Sequence, residues 1–218
     1  MKRGARIPTA AIALTMAVAV GPQCAGAQGP VSAPADAAPK LTGNITGFYY
    51  AMRDQPNFGV GVASLDRGSL HLEGRYNYEA SNAGSAFAGW KFAGGEGLSY
   101  EITPIVGFTF GQLHAIVPGA EASLAYRKFD AYVEAEYVGD QQDHAASYVF
   151  AWSELGWSPV DGLRVGLVGQ RSRVVHSERD LQRGLFAQVG IGRVMLSFYA
   201  FNPDLGSRYA IVSLGMDF

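Results

Sequence analysis

Cysteine is all but missing. Cys24 is the only one among 218 residues, and it falls in a segment that reads as a cleaved leader. The mature protein is therefore expected to hold no disulfide and no thiolate site. Charge is scarce as well: Asp, Glu, Lys and Arg make up 17% of the chain, with a net charge of −2. That excludes the clustered Lys and Arg of a nucleic-acid binder. Beyond the leader, no uninterrupted apolar run approaches the roughly 18 residues that a membrane helix needs. A sustained 3.6-residue hydrophobic period is missing too, which removes amphipathic helices from the candidates. The glycine-rich stretches GGEG (94–97) and VGIG (189–192) fit neither a dinucleotide turn nor a phosphate loop. His114, His144 and His176 fall in separate connections without ligand spacing. No cofactor and no metal site are expected.

The leader itself is well marked. Lys2, Arg3 and Arg6 precede the apolar run IPTAAIALTMAVAV (7–20), and the small residues Ala25, Gly26 and Ala27 follow. This is the pattern of a secretory signal peptide over residues 1–27, too short to span a membrane. Gly21, Pro22 and Gln23 before Cys24 do not make a lipidation context. Loss of three basic residues takes the net charge from −2 to −5. Residues 28–42, rich in Pro and Ala, read as a flexible lead-in.

What the sequence has in abundance is period-two alternation. In GSLHLEGRYNYEA (68–80), Leu70, Leu72, Gly74, Tyr76 and Tyr78 share one parity while His71, Glu73, Arg75 and Glu79 share the other. Such a segment is an extended strand with one apolar and one ionisable face. The pattern recurs from Gly43 to Phe218, and the reading gives about twelve strands, with ten as the alternative: 43–52, 58–66, 68–80, 85–93, 98–110, 117–127, 129–138, 147–157, 163–174, 185–192, 194–202 and 208–218. Short turns such as DRG (66–68), RKFD (127–130) and GR (192–193) alternate with longer polar connections such as GDQQDHAA (139–146). Aromatics fall at both strand ends on the apolar parity. Trp90, Phe92, Tyr100, Tyr126, Phe129, Trp157 and Phe218 lie near the short turns, and Tyr76, Tyr78, Phe108, Phe110 and Tyr137 near the longer loops.

The ending RYAIVSLGMDF alternates Ala210, Val212, Leu214, Met216 and Phe218 up to a C-terminal aromatic, with Ser213 where a glycine is common. This resembles the terminal strand of bacterial outer-membrane β-barrel proteins. Together with the leader and the loop alternation, the chain resembles that small porin-like class. The resemblance implies an all-β, antiparallel transmembrane barrel over 43–218 in the cell outer membrane. It also implies contact with outer-membrane lipid and lipopolysaccharide, and insertion by dedicated machinery that reads Phe218. A soluble lipocalin-like barrel would instead turn the apolar parity inward, and it explains neither aromatic band.

On this reading the ionisable parity lines the lumen. The expected lining is His71, Glu73, Arg75, Glu79, Lys91, Glu101, Glu121, Arg127, Glu134, Glu136, Glu154 and Arg164, serving selectivity or an ion-pair network. Phe150 and Trp152 form a candidate lumen aromatic strip, either stacking a solute or plugging space. Acidic residues outnumber basic ones, so a small channel preferring cations is expected. A structural barrel without transport is the alternative. A lipid-modifying enzyme is a further alternative from another class, resting on Ser69, His71 and Glu73 sharing a face, but that trio sits near a periplasmic turn and points inward, away from outer-leaflet lipid. No catalytic residue is assigned. Arg171, Arg173, Arg179 and Arg183 gather around one outer loop, where they could meet lipopolysaccharide phosphates or simply solvent.

Overall fold

Alternation commits each segment to a pleated strand with two chemically different faces, and a sheet so patterned must hide one of them. The computed structural model describes residues 39–174, 180–204 and 206–218. The leader, most of the lead-in, His176 and Arg179 lie outside these residues. Thirteen strand segments follow in order: β1 Leu41–Met52, β2 Phe58–Arg67, β3 Leu70–Tyr76, β4 Ala83–Trp90, β5 Phe92–Gly94, β6 Leu98–Gly111, β7 Ala115–Tyr126, β8 Phe129–Asp140, β9 Tyr148–Val160, β10 Leu163–Val174, β11 Asp180–Ile191, β12 Val194–Phe201 and β13 Tyr209–Asp217. Every neighbour pair is antiparallel. β1 pairs with β13, and β4 pairs with β6, so the sheet closes on itself.

Segments β4 and β5 form one stave, so the barrel has twelve staves. Gly89 faces Ile105 and Phe92 faces Ile102 in unbroken register along β6. The interruption has a local cause. Lys91 N–H donates to Ser69 O in the β2–β3 turn at 2.8 Å, so Trp90 turns its backbone groups toward β6. Its counterpart there in the same register is Pro104, which has no N–H to return. A second irregularity is a one-residue bulge between β9 and β10, where Leu163 pairs with Val160 but Val165 with Trp157.

Burial follows the alternation. On β3, Leu70, Leu72 and Tyr76 face out while His71, Glu73 and Arg75 are buried. On β8, Val133, Ala135 and Tyr137 face out while Tyr132, Glu134 and Glu136 are buried. The outward set is large, apolar and continuous around the barrel: Ile45, Ile102, Val106, Ile116, Leu124, Leu155, Leu167, Leu185, Leu196 and Leu214 are all exposed. A water-soluble monomer rarely shows more than a few hundred Å² of contiguous apolar surface. A full belt of it is a lipid-facing surface. All seven aromatics expected near the short turns are exposed on that surface.

Two expectations fail, and both for backbone reasons. Tyr78 was expected outward but is 1% exposed. Strand β3 ends at Tyr76, and Asn77 takes a left-handed conformation (φ 60°) fixed by side-chain bonds to Gly59 O and Asn82 N. The parity resets there, and the chain folds Tyr78 into the barrel. Arg127 was expected in the lumen, but β7 stops at Tyr126 and Arg127 occupies a two-residue turn with φ 56°. It is exposed, with its guanidinium 5.2 Å from the Tyr126 ring centre.

Candidate functional site

The interior is layered. Toward the loop end, aromatic side chains of the neighbouring strands β2, β1, β13 and β12 form a continuous stack. Tyr50 stacks on Phe58 and Tyr209, and Tyr209 on Phe201 at 4.7 Å between ring centres. Phe201 lies 5.5 Å from Trp152, which packs edge-on against Tyr199. Phe150 and Tyr78 make a second edge contact across the barrel. Phe150, Trp152, Tyr50 and Ile211 are each 0% exposed. The expected aromatic strip on β9 therefore points inward, and it packs against other side chains there as a plug.

Below this plug lies a charged centre around Arg75. Its guanidinium contacts Glu73 through Nε, and reaches Glu136 at 2.7 Å, Glu134 at 3.2 Å, Glu79 at 3.4 Å and Glu121 at 3.9 Å. Glu134 and Glu136 come from β8, so the contact crosses the interior and ties β3 to the far wall. Tyr78 Oη donates to Glu134 at 2.6 Å, and Arg75 lies 4.2 Å from the ring centres of both Tyr78 and Phe87. Phe87 can lie there because Gly107 faces it; a Cβ on Gly107 would collide with the ring. Glu79 sits in the β3–β4 connection rather than on a strand, yet it is fully buried, accepting from Ser85 Oγ at 2.7 Å. Burial pushes its carboxyl above the ordinary range, opposed by Arg75 and reinforced by Glu136.

A second charged layer lies toward the turn end. Arg164 binds Asp130 through Nε and Nη2, reaches Glu154 through Nη1, and donates to Gln188 Oε1 at 2.9 Å. Asp130 and Arg164 meet across the intervening β9 because Gly156 has no side chain; a Cβ there would sit 2.5 Å from both groups. Trp152 Nε1–H and Tyr199 Oη both donate to Glu154 at 3.1 Å, joining this layer to the plug. A cavity of about 190 Å³, lined in part by Arg164, Gln188, Arg193 and Asp217, borders this layer. Lys91 and Glu101 lie near the short turns, partly exposed. Lys91 binds Asp66 at 2.8 Å and Glu101 at 3.5 Å.

His71 stands apart. Its Nδ1 pairs with Asp66 Oδ1 at 2.7 Å, while its Nε2 is buried without a hydrogen-bond partner, 3.7 Å from Glu73 Oε2. Neither nitrogen is bonded to Ser69, so the arrangement a nucleophilic serine requires is not formed at this histidine.

Of the twelve expected lining residues, nine are drawn into the Arg75, Arg164 and His71 groups. Lys91 and Glu101 are at the mouth, and Arg127 is outside. Asp66, Tyr78, Gln188 and Tyr199 were missed as members of these groups. Asp66 could have been found by extending the β2 parity through Ser64 into the turn. Gln188 and Tyr199 carry no signal stronger than alternation.

An antiparallel barrel of twelve staves, apolar outside and with ionisable side chains on its inner parity, belongs to the transmembrane β-barrel class. No family model matches the sequence, and no curated protein matches it. Solved structures share the fold. The KdgM porin matches with a TM-score of 0.61 and 8% identity, over 80% of this chain and 99% of that one. The KdgM porin in complex with disordered oligogalacturonate matches with a TM-score of 0.57 and 6% identity, over 80% and 98%. At such identities the likeness is one of fold.

Proposed function

We propose that the protein is a small porin-like channel of the bacterial outer membrane that favours cations over anions, and that the aromatic layer holds it closed in this conformation. The observation that carries the reading is the gathering of five carboxylates on the single guanidinium of Arg75. A surplus of fixed negative charge in a narrow passage raises the local concentration of cations and repels anions. The KdgM structure above holds an oligogalacturonate, an acidic oligosaccharide. The same surplus here disfavours a polyanion, so that ligand is not carried over.

The test is conductance in a planar bilayer under a KCl gradient. The expected result is small steps with a cation-selective reversal potential. Glu134→Gln or Glu136→Gln should move that potential toward zero, and Trp152→Ala should enlarge the steps. The dense packing around Trp152 favours a second reading, a structural barrel without transport. That reading wins if neither the wild type nor Trp152→Ala conducts. A lipid-modifying activity lacks support at His71, whose nitrogens face carboxylates instead of a hydroxyl.

Lipid and lipopolysaccharide are the surrounding partners on this reading. Arg183 already pairs with the exposed Asp204 at 2.6 Å, which offsets its charge toward phosphate. Recognition by insertion machinery is supported by Phe218, whose ring is exposed and whose backbone closes the barrel against Gly43.

A further inference from the structure

We infer that His71, Glu73 and Glu121 form a binding site for one divalent transition-metal cation inside the barrel. One ligand atom from each of the three lies within 4.8 Å of the others. Acidic clusters alone are commonplace, and the histidine is what distinguishes this one. His71 is 5% exposed, yet its Nε2 makes no hydrogen bond, and the group facing it is Glu73 Oε2 at 3.7 Å. Leaving a buried ring nitrogen unsatisfied is costly, and a Lewis acid is what such a lone pair fits.

The surroundings are arranged as metal sites usually are. With the Nδ1–H of His71 given to Asp66 at 2.7 Å, the ring is fixed and its neutral tautomer would present the Nε2 lone pair to an ion. Glu73 is held on one oxygen by Arg75, while its other oxygen, Oε2, faces Nε2 at 3.7 Å. A tetrahedral ion with bonds of about 2.0–2.1 Å sets its ligand atoms roughly 3.4 Å apart. Glu73 and His71 are therefore nearly placed, and Glu121 must approach. It is the member able to do so, with 18% of its side chain accessible. A water would complete four-coordination. Two carboxylates balance a dication, and one imidazole with two carboxylates suits Zn²⁺, Mn²⁺ or Fe²⁺ better than the all-oxygen shell of Ca²⁺.

The experiment is Zn²⁺ titration of the refolded full-length mature barrel in detergent, followed by calorimetry and by ¹⁵N side-chain spectra of the histidines. One ion per barrel is expected, with His71 Nε2 shifting on saturation while the His114 and His144 rings stay put. Asp66→Asn should weaken binding about 10–100-fold, and His71→Gln should abolish the one-to-one phase. Stoichiometric binding that survives His71→Gln, shifts confined to the loop histidines, or no heat above a detergent blank would each overturn the assignment. The wild-type spectra decide the matter even where a variant fails to fold, and none of these readouts depends on conductance.

Discussion

Replacing Arg75 with Met removes one charge and strands five. In the native barrel Glu73, Glu79, Glu121, Glu134 and Glu136 all lie within 3.9 Å of that guanidinium, and four of them are sealed from solvent. Removing one partner of a buried ion pair costs about 3–5 kcal/mol, because the remaining charge keeps its desolvation and loses its compensation. Contacts with the Tyr78 and Phe87 rings, each at 4.2 Å, add up to about 2 kcal/mol where desolvated. Met fills a similar volume, so cavity formation is a small part of the change. The expected loss at pH 8 is therefore about 3–7 kcal/mol, read by urea unfolding in lipid vesicles from tryptophan fluorescence. Glu134→Gln in the same background removes one stranded charge and should recover part of that loss at pH 8. Arg183→Met, which breaks an exposed pair, should fall within about 0–1 kcal/mol. A loss below about 1 kcal/mol for Arg75→Met, or no recovery when Glu134→Gln is added, would show that the carboxylates do not depend on this cation.

Other expectations follow from single contacts. Glu79 is held above the ordinary carboxylate range by burial, so the folded barrel binds its proton more tightly than the unfolded chain. Its ionisation therefore lowers stability as pH rises above about 4.3, and Glu79→Gln should flatten that limb of the urea-midpoint profile. Gly156→Ala should push Arg164 and Asp130 apart and cost about 1–3 kcal/mol, whereas the same change at Gly61, where nothing lies near, should be nearly silent. Val106→Arg places a charge on the apolar exterior mid-way along β6 and should cost about 2–4 kcal/mol in a bilayer. In a soluble barrel, the same exposed arginine would be harmless.

How much of this was legible depended on what kind of signal each residue carries. Alternation is a local property, so the faces of β3 and β8 could be read residue by residue, and the position of His71 or Glu134 followed from parity alone. Parity fails where the backbone leaves the pleat. Asn77 resets the pattern with one left-handed residue, which sends Tyr78 to Glu134 and carries Glu79 in behind it. Asn is among the residues that tolerate this conformation, so a warning was present in NYE but was outweighed by the longer run of alternation. Arg127 carried no warning, because arginine rarely takes positive φ and does so here to close a two-residue turn.

The pairing across the interior is a different matter, and here sequence has nothing to offer. Arg75 and Glu136 are 61 residues apart, and Trp152 and Phe201 lie on staves that are not neighbours. Which inward side chains meet depends on the number of staves and on the registers between them. A barrel of sixteen with the same strands would leave water where this one has packing. Twelve staves give an interior that long side chains can bridge, and this chain places Arg, Glu, Tyr and Trp at those positions. That choice ties selectivity and stability to the same atoms. If the channel reading holds, neutralising Glu134 should change the reversal potential and the urea midpoint together, with the loss of Arg75's partner appearing in both.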